Sequence, residues 1–272
     1  MRLLIIGCGS IGNVLATAAD SIEEIDRIYL TDKVEVKAKE KVNEHPKAIF
    51  VRFEDDAIMH AMDDVELVVE AASQEAVRKF APICLERGRD IMVMSVGAFA
   101  DDDLRERCYS LSKIKRGRLY IPSGAVCGTD GLRSASSSQI DEVHLITTKG
   151  PESFKNIPYL SDNKIDVAHL TEPTVLYDGP ARKVLSLFPK NINVAATVSM
   201  LGVGFEKTKI TLVCDPQSRT NSHLLIVKGP FGEIRAETRN TPFPSNPSTS
   251  YLAALSAVAA LKSIVANRWI GV

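Results

Sequence analysis

Three glycines, five histidines and five cysteines are the residues of this 272-residue chain whose types and spacing bear most directly on chemistry. Gly7, Gly9 and Gly12 form a GxGxxG pattern between an apolar run and a helical one. In that context Gly7 permits a tight turn, Gly9 lets the backbone approach a pyrophosphate, and Gly12 allows a helix to pack closely on a strand. The helix then opens at Ser10 and Ile11, whose end offers N–H groups to the anion. A second strand ends at Asp32, twenty residues after Gly12, where a carboxylate accepts hydrogen bonds from adenosine ribose hydroxyls. Its charge opposes a 2′-phosphate and Lys33 and Lys37 soften that opposition, so NAD is favoured and NADP admitted. Ala71, Ala72 and Ser73, in "VEAASQEAV", are small enough to pass beneath a ribose; Ser73 reads equally well as a helix N-cap.

Proton transfer at neutral pH points to imidazole. His45 and His60 fall in polar stretches expected to be exposed, His144 within a strand and His169 near a loop, all positions where histidine is commonly structural. His223 differs, because "CDPQSRTNSHLLI" places it where a loop enters a strand, flanked by Asn221 and Ser222. Asn193, in "FPKNINVAATVSMLG", stands near a helix start where it can bind a nicotinamide carboxamide or a carboxylate, whereas Asn191 reads as an N-cap. "IPSGAVCGTDGL" supplies glycines and Ser123 for close backbone approach. Cys127 lacks the neighbouring histidine that a thiol nucleophile needs. Ser123, Lys149, Thr249 and Ser250 are candidate donors to substrate carboxylates, and "NPSTS" either binds an anion or caps the helix after it.

The elements that must carry these groups change character along the chain. Short β-rich runs at residues 2–6, 27–31, 48–53, 66–70, 90–94 and 118–121 alternate with helical periodicity, which predicts a parallel sheet covered by helices. Ile11, Val14, Leu15 and Ala18 mark one core-facing stripe, and Val77, Phe80, Ala81, Cys84 and Leu85 another, with Gly88 closing the second helix. From about residue 122 strands outnumber helices, predicting a mostly antiparallel sheet with helices on one face and a long loop over residues 150–173. The final segment, with Ser248, Thr249 or Ser250 as caps, reads as a buried helix returning to the first domain. The expected architecture is therefore an α/β, Rossmann-type doubly wound parallel sheet over residues 1–122 completed by a helix over 247–272. A second α+β domain covers 123–246.

Bulk properties exclude several partners. A net charge of −1 gives no footprint for nucleic acid or an anionic membrane, and the basic cluster at residues 113–118 reads as a solvated helix end. Five widely spaced cysteines without a CxxC pair suggest neither a disulfide framework nor a zinc site, so no metal is expected and the chain reads as reduced and cytoplasmic. Glycines interrupt the first apolar stretch, so residues 1–19 do not read as a signal peptide, and no run approaches a membrane span.

"GCGSIG", "EAASQEAV", "VMSVGAFAD", "IPSGAVCG", "FPKNINVAAT", "DPQSRTNSH" and "NPSTS" together resemble, in order, the motifs of the L-aspartate dehydrogenase family from residue 3 to about 256. The resemblance implies NAD(P)-dependent oxidation of L-aspartate to iminoaspartate, which yields oxaloacetate and ammonia or feeds NAD biosynthesis. It also implies a sandwich-like second domain, a homodimer, His223 as the catalytic histidine, and Ala125 and Asn193 as cofactor contacts. Cys127 and Gly131 stand where alanine is expected in many relatives. Two other readings fit parts of the pattern: a dihydrodipicolinate-reductase-like enzyme reducing an imine of another small dicarboxylate, and an NAD(H)-sensing protein without turnover.

Overall fold

A computed structural model describes residues 1–188, 192–243 and 246–271, and the chain divides into two compact units. The first is Met1–Pro122 with Ala254–Ile270 and the second is Ser123–Ala253.

In the first unit, β1 (Arg2–Ile6), β2 (Arg27–Thr31), β3 (Ala48–Phe50), β4 (Leu67–Glu70), β5 (Asp90–Val93) and β6 (Leu119–Tyr120) alternate with α1 (Ser10–Ser21), α2 (Glu35–Glu44), α3 (Asp55–Asp64), α4 (Gln74–Glu86) and α5 (Asp102–Lys115). All strand pairs are parallel, in the order β3-β2-β1-β4-β5-β6. This is the doubly wound topology, with its switch point between β1 and β4, the adjacent strands whose connections leave in opposite directions. Leu3, Leu4, Ile5 and Ile6 are fully buried, as a strand covered on both faces requires. The buried stripe of α1 is Gly12, Leu15, Ala16 and Ala19, one position around from the Ile11–Val14–Leu15–Ala18 stripe expected. Close packing of Gly12 on the glycine turn sets that rotation: a Cβ on Gly12 would stand 1.8 Å from the Gly7 carbonyl oxygen. His45, expected to be exposed, is buried, because α2 ends at that residue and the chain turns inward to β3. Its Nε2 has no hydrogen-bond partner among the described residues.

The second unit is built on a mixed sheet of β7 (Glu142–Lys149), β8 (Thr174–Pro180), β9 (Lys209–Cys214), β10 (Asn221–Gly229) and β11 (Gly232–Asn240), ordered β11-β10-β7-β9-β8. Every pair is antiparallel except β7 with β9. Strict alternation along β7 buries Val143, Leu145, Thr147 and Lys149 on one face. That face is covered by α6 (Thr129–Ala135) and α9 (Asn193–Leu201), since Gly202, at the end of α9, lies against both Val143 and Leu132. The expected loop over 150–173 instead contains α7 (Pro158–Asp162) and two short 3-10 turns. Phe154, Leu160 and Val167 are buried there, and the Phe154 and Tyr159 rings pack against Phe188, just beyond the helix that follows β8. The helix α8 (Ala181–Leu187) follows β8.

A small hairpin, β12 (Pro242–Phe243) with β13 (Asn246–Ser250), precedes α10 (Tyr251–Ala266). The helix expected from 247 therefore starts at Tyr251, because the "NPSTS" backbone is used in strand pairing; Thr249 sits in the strand and Ser250 directly before the helix. Ala257 and Leu261 of α10 join the core beside Leu3, Ile5 and Leu30 of the first unit.

Candidate functional site

The glycine turn is shaped by contacts that only hydrogen permits. Gly7 has φ +104°, and a Cβ there would lie 2.7 Å from the Ala71 carbonyl. Gly9, in contrast, is exposed and a Cβ there would meet nothing within 4 Å, which leaves the open side of the turn free for a ligand. No side chain caps the first turn of α1, so a bound anion can take that role. Asp32 is bound into the turn: Oδ2 accepts the Cys8 N–H at 2.7 Å and Oδ1 the Val34 N–H at 2.8 Å. Burial and the Asp32 carboxylate push the Cys8 thiol up to about 12, so this cysteine stays neutral.

Gly7, Gly9, Asp32, Ala71, Ala72 and Ser73 line one cleft of about 370 Å³, together with Lys33, Lys37, Phe53, Lys79 and Phe80. Ser10, Ile11 and Gly12 form the adjoining first turn of α1 rather than its walls. Ser73 caps α4, accepting the Ala76 N–H at 3.2 Å. The donors and walls suit the pyrophosphate and adenosine part of a dinucleotide: an open glycine turn at a helix N-terminus, a carboxylate at the end of β2, and apolar walls at Phe53 and Phe80. A larger hollow of about 490 Å³, between β3 and α3, contains none of the selected residues except His60.

In the second unit, sheet register assembles the polar residues. His223 pairs with Thr147 across β10 and β7, and Thr147 Oγ1 meets His223 Nδ1 at 2.9 Å. Lys149, two residues beyond Thr147, lies on the same buried face, as does Asn221, two residues before His223. Burial and the neighbouring Lys149 charge lower the His223 pKa to about 3, and burial lowers Lys149 to about 8. The imidazole is therefore neutral at pH 7, with Nδ1 committed to Thr147.

Across the other edge of β10, Thr238 of β11 pairs with His223. Thr238 Oγ1 and Asn240 Nδ2 both donate to the Ala125 carbonyl, each at 2.9 Å, which fixes the "IPSGAVCG" loop beside that strand. Gly124 of this loop faces Val194, so half-buried Ser123 and exposed Asn193 belong to neighbouring segments. Asn221 Nδ2 donates to the Pro247 carbonyl at 3.0 Å, tying the start of β10 to "NPSTS". There Thr249 accepts from Asn246 at 2.9 Å and Ser250 is buried.

The remaining candidates lie apart. His144 Nε2 bonds Thr211 at 2.7 Å, exposed His169 pairs with Asp166, and exposed Cys127 Sγ donates to the Glu237 carbonyl. Asn191 falls outside the described residues. Sequence reasoning passed over Thr147, Thr238 and Asn240; the signal for Thr147 was a hydroxyl on the apolar phase of "EVHLITTK".

Two family models match the chain: "Homoserine dehydrogenase, NAD binding domain" over residues 7–122, and "Aspartate dehydrogenase, C-terminal" over 130–264. The L-aspartate dehydrogenase of Methanosarcina acetivorans is 42% identical over 268 residues, covering 97% of each chain. The chain belongs to the L-aspartate dehydrogenase family. That of Methanosarcina barkeri is 40% identical, covering 100% of this chain and 99% of the relative. Among solved structures, aspartate dehydrogenase from Thermotoga maritima superposes with a TM-score of 0.72 at 29% identity, covering 98% of this chain and 96% of that one. The first unit is thus an NAD-binding domain of an oxidoreductase. No helix among the described residues is long and apolar enough to cross a membrane.

Proposed function

We propose that this chain oxidises L-aspartate to iminoaspartate with NAD(P)⁺, and that iminoaspartate then hydrolyses to oxaloacetate and ammonia. The observation that carries the chemistry is the neutral His223 imidazole, held at Nδ1 by Thr147 on a buried face shared with Lys149. Family membership supplies the substrate.

When bound, the nicotinamide supplies the hydride acceptor. The glycine turn from Gly7 through Gly9, Ser10 and Ile11 to Gly12 would receive the pyrophosphate, Asp32 the adenosine ribose, and Ala71, Ala72 and Ser73 would pass beneath an adenosine or nicotinamide ribose. Each Asp32 oxygen already takes one N–H and retains a lone pair for a ribose hydroxyl. NAD is the preferred form; Lys33 and Lys37, which make no ion pair among the described residues, offer charge to a 2′-phosphate. In the second unit, Ala125 and Asn193 contact the cofactor, and Ser123, Lys149, Thr249 and Ser250 receive the substrate carboxylates.

His223 acts on the water. With Nδ1–H donating to Thr147, Nε2 presents a lone pair that takes a proton as the water oxygen bonds to the imine carbon. It returns that proton to nitrogen, and as the C–N bond breaks the carbonyl forms and the hydroxyl proton passes to the departing ammonia, which leaves as ammonium. The pKa of about 3 keeps the free protein's ring unprotonated, and two substrate carboxylates nearby raise its basicity toward the working range.

We further assign residues 1–122 with the C-terminal helix to cofactor binding and 123–246 to substrate binding and dimerisation, in a cytoplasmic homodimer whose iminoaspartate supplies NAD biosynthesis. Initial rates with L-aspartate, D-aspartate and L-glutamate, each with NAD⁺ and NADP⁺, test the reading. L-aspartate with NAD⁺ is expected to give the highest kcat/KM, and no rate with L-aspartate and either cofactor would overturn it.

A further inference from the structure

Glu70 ends β4 and is fully buried, where an ionised carboxylate is costly unless its oxygens are satisfied. Four donors satisfy them. Oε1 accepts the N–H groups of Ala72 and Ser73 and the Ser95 hydroxyl, each at 2.8 Å, and Oε2 accepts the Ser95 N–H at 3.0 Å. Burial raises the carboxyl pKa while the bonds from Ser95, Ala72 and Ser73 oppose that rise.

Ala72 and Ser73 belong to the connection from β4 to α4, and Ser95 follows β5 within "VMSVGAFAD", a motif with no role in the chemistry above. One side chain thus ties together the loops at the carboxyl ends of two adjacent strands. The glycine turn leans on the same assembly, because a Cβ on Gly7 would stand 2.7 Å from the Ala71 carbonyl and 2.8 Å from Ala72 Cα. In a doubly wound sheet each half receives one mononucleotide. Asp32 after β2 marks the adenosine half, the loop after β4 lines the same cleft beside it, and the loop after β5 falls to the other half.

We propose that the Glu70 carboxylate is a positioning residue for the nicotinamide half of the dinucleotide, holding the loops after β4 and β5 in one fixed arrangement. The proposal rests on the dinucleotide-binding reading of the first unit and needs no assumption about the oxidised substrate.

Glu70→Gln is the discriminating variant. If its amide oxygen keeps the three donors at Oε1, its NH₂ meets the Ser95 N–H, donor against donor, and the β5 loop alone is released. NADH is titrated by its own fluorescence, ADP-ribose by calorimetry, and turnover with L-aspartate is measured on the same full-length protein. The expected result is NADH binding weakened about 10-fold and kcat lowered roughly 10- to 100-fold, the scale of a small misplacement, with ADP-ribose affinity within about 3-fold of the parent. A general loosening of the fold would weaken ADP-ribose and NADH alike, and that result overturns the proposal. So does a folded Glu70→Gln protein with parental NADH affinity and kcat. If Glu70→Gln does not fold, Ser95→Ala removes one of the two bonds to the β5 loop. A severalfold loss of NADH affinity at constant ADP-ribose affinity supports the proposal, and parental NADH affinity overturns it. A parent protein that binds NADH but does not oxidise aspartate refutes the reaction and leaves this binding comparison decisive.

Discussion

The cleft of the first unit is built from backbone, and the polar face of the second from side chains. Around Gly7, Gly9 and Gly12 the working groups are N–H groups at a helix start and the absence of Cβ atoms, supplied by six consecutive residues. Around His223 they are an imidazole, a hydroxyl and an ammonium from residues more than seventy positions apart, joined by the β7–β10 register. Local geometry therefore shapes the glycine turn, with Ala71 closing on Gly7, whereas the second face inherits its precision from the whole sheet. The energetic costs differ correspondingly. The glycine turn costs conformational entropy, while the second face buries groups that water would hold better.

The largest expected effect breaks the side-chain site and spares the backbone one. His223→Ala should lower kcat by about 10²- to 10⁴-fold with NADH affinity nearly unchanged, measured by steady-state rates and fluorescence titration. Parental turnover would remove His223 from the chemistry.

Next come two substitutions that separate packing from ligand approach within the glycine turn. Gly12→Ala forces a methyl to 1.8 Å from the Gly7 carbonyl, so thermal stability should fall and NADH binding should weaken about 100-fold. Gly9→Ala meets nothing within 4 Å, and should leave the unliganded Tm unchanged while still weakening NADH. Equal Tm losses in both variants would contradict the assignment of the open side to the cofactor.

A third comparison concerns Lys149. Its pKa is about 8 when folded against 10.5 unfolded, so the unfolded chain holds the extra proton between those values, and the stability cost is complete below pH 8 and gone above 10.5. Lys149→Met should therefore gain up to ~3 kcal/mol at pH 7, a gain that disappears by about pH 11 in denaturant melts. The same variant should raise KM for aspartate. In the parent, KM should climb above pH 8 as the ammonium loses its charge, and Lys149→Arg should delay that climb.

The smallest effect is expected at the rim of the cleft. Lys37→Glu should raise KM for NADP⁺ severalfold and leave NAD⁺ almost unchanged, because exposed charges are largely screened by salt.

Legibility followed the range of the interactions. The strands of the first unit were readable to within a few residues because burial on both faces leaves continuous apolar runs such as Leu3–Ile6. Residues 150–173 were misread as a loop since their helices are about one turn long and too short for periodicity. The C-terminal helix was extended four residues too early because serine and threonine suit a cap as readily as a strand, and pairing with Pro242–Phe243 decided between them. Glu70 resembled any acid at a strand end; its four donors come from two loops, one of them twenty-five residues away.

By itself the sequence determined the doubly wound first unit, its glycine turn and Asp32, because continuous apolar runs, glycine spacing and an acid at a strand end are patterns of neighbouring residues, even though the β1–β4 pairing and the Gly7–Ala71 approach span more than sixty positions. It also singled out His223 by the residues around it. Only the tertiary structure brought Thr147 to the Nδ1 of that ring, placed Lys149 on the same buried face, and gathered four donors on Glu70. Register between distant strands and the loss of water around a side chain are properties of the packed chain, and no local pattern encodes them.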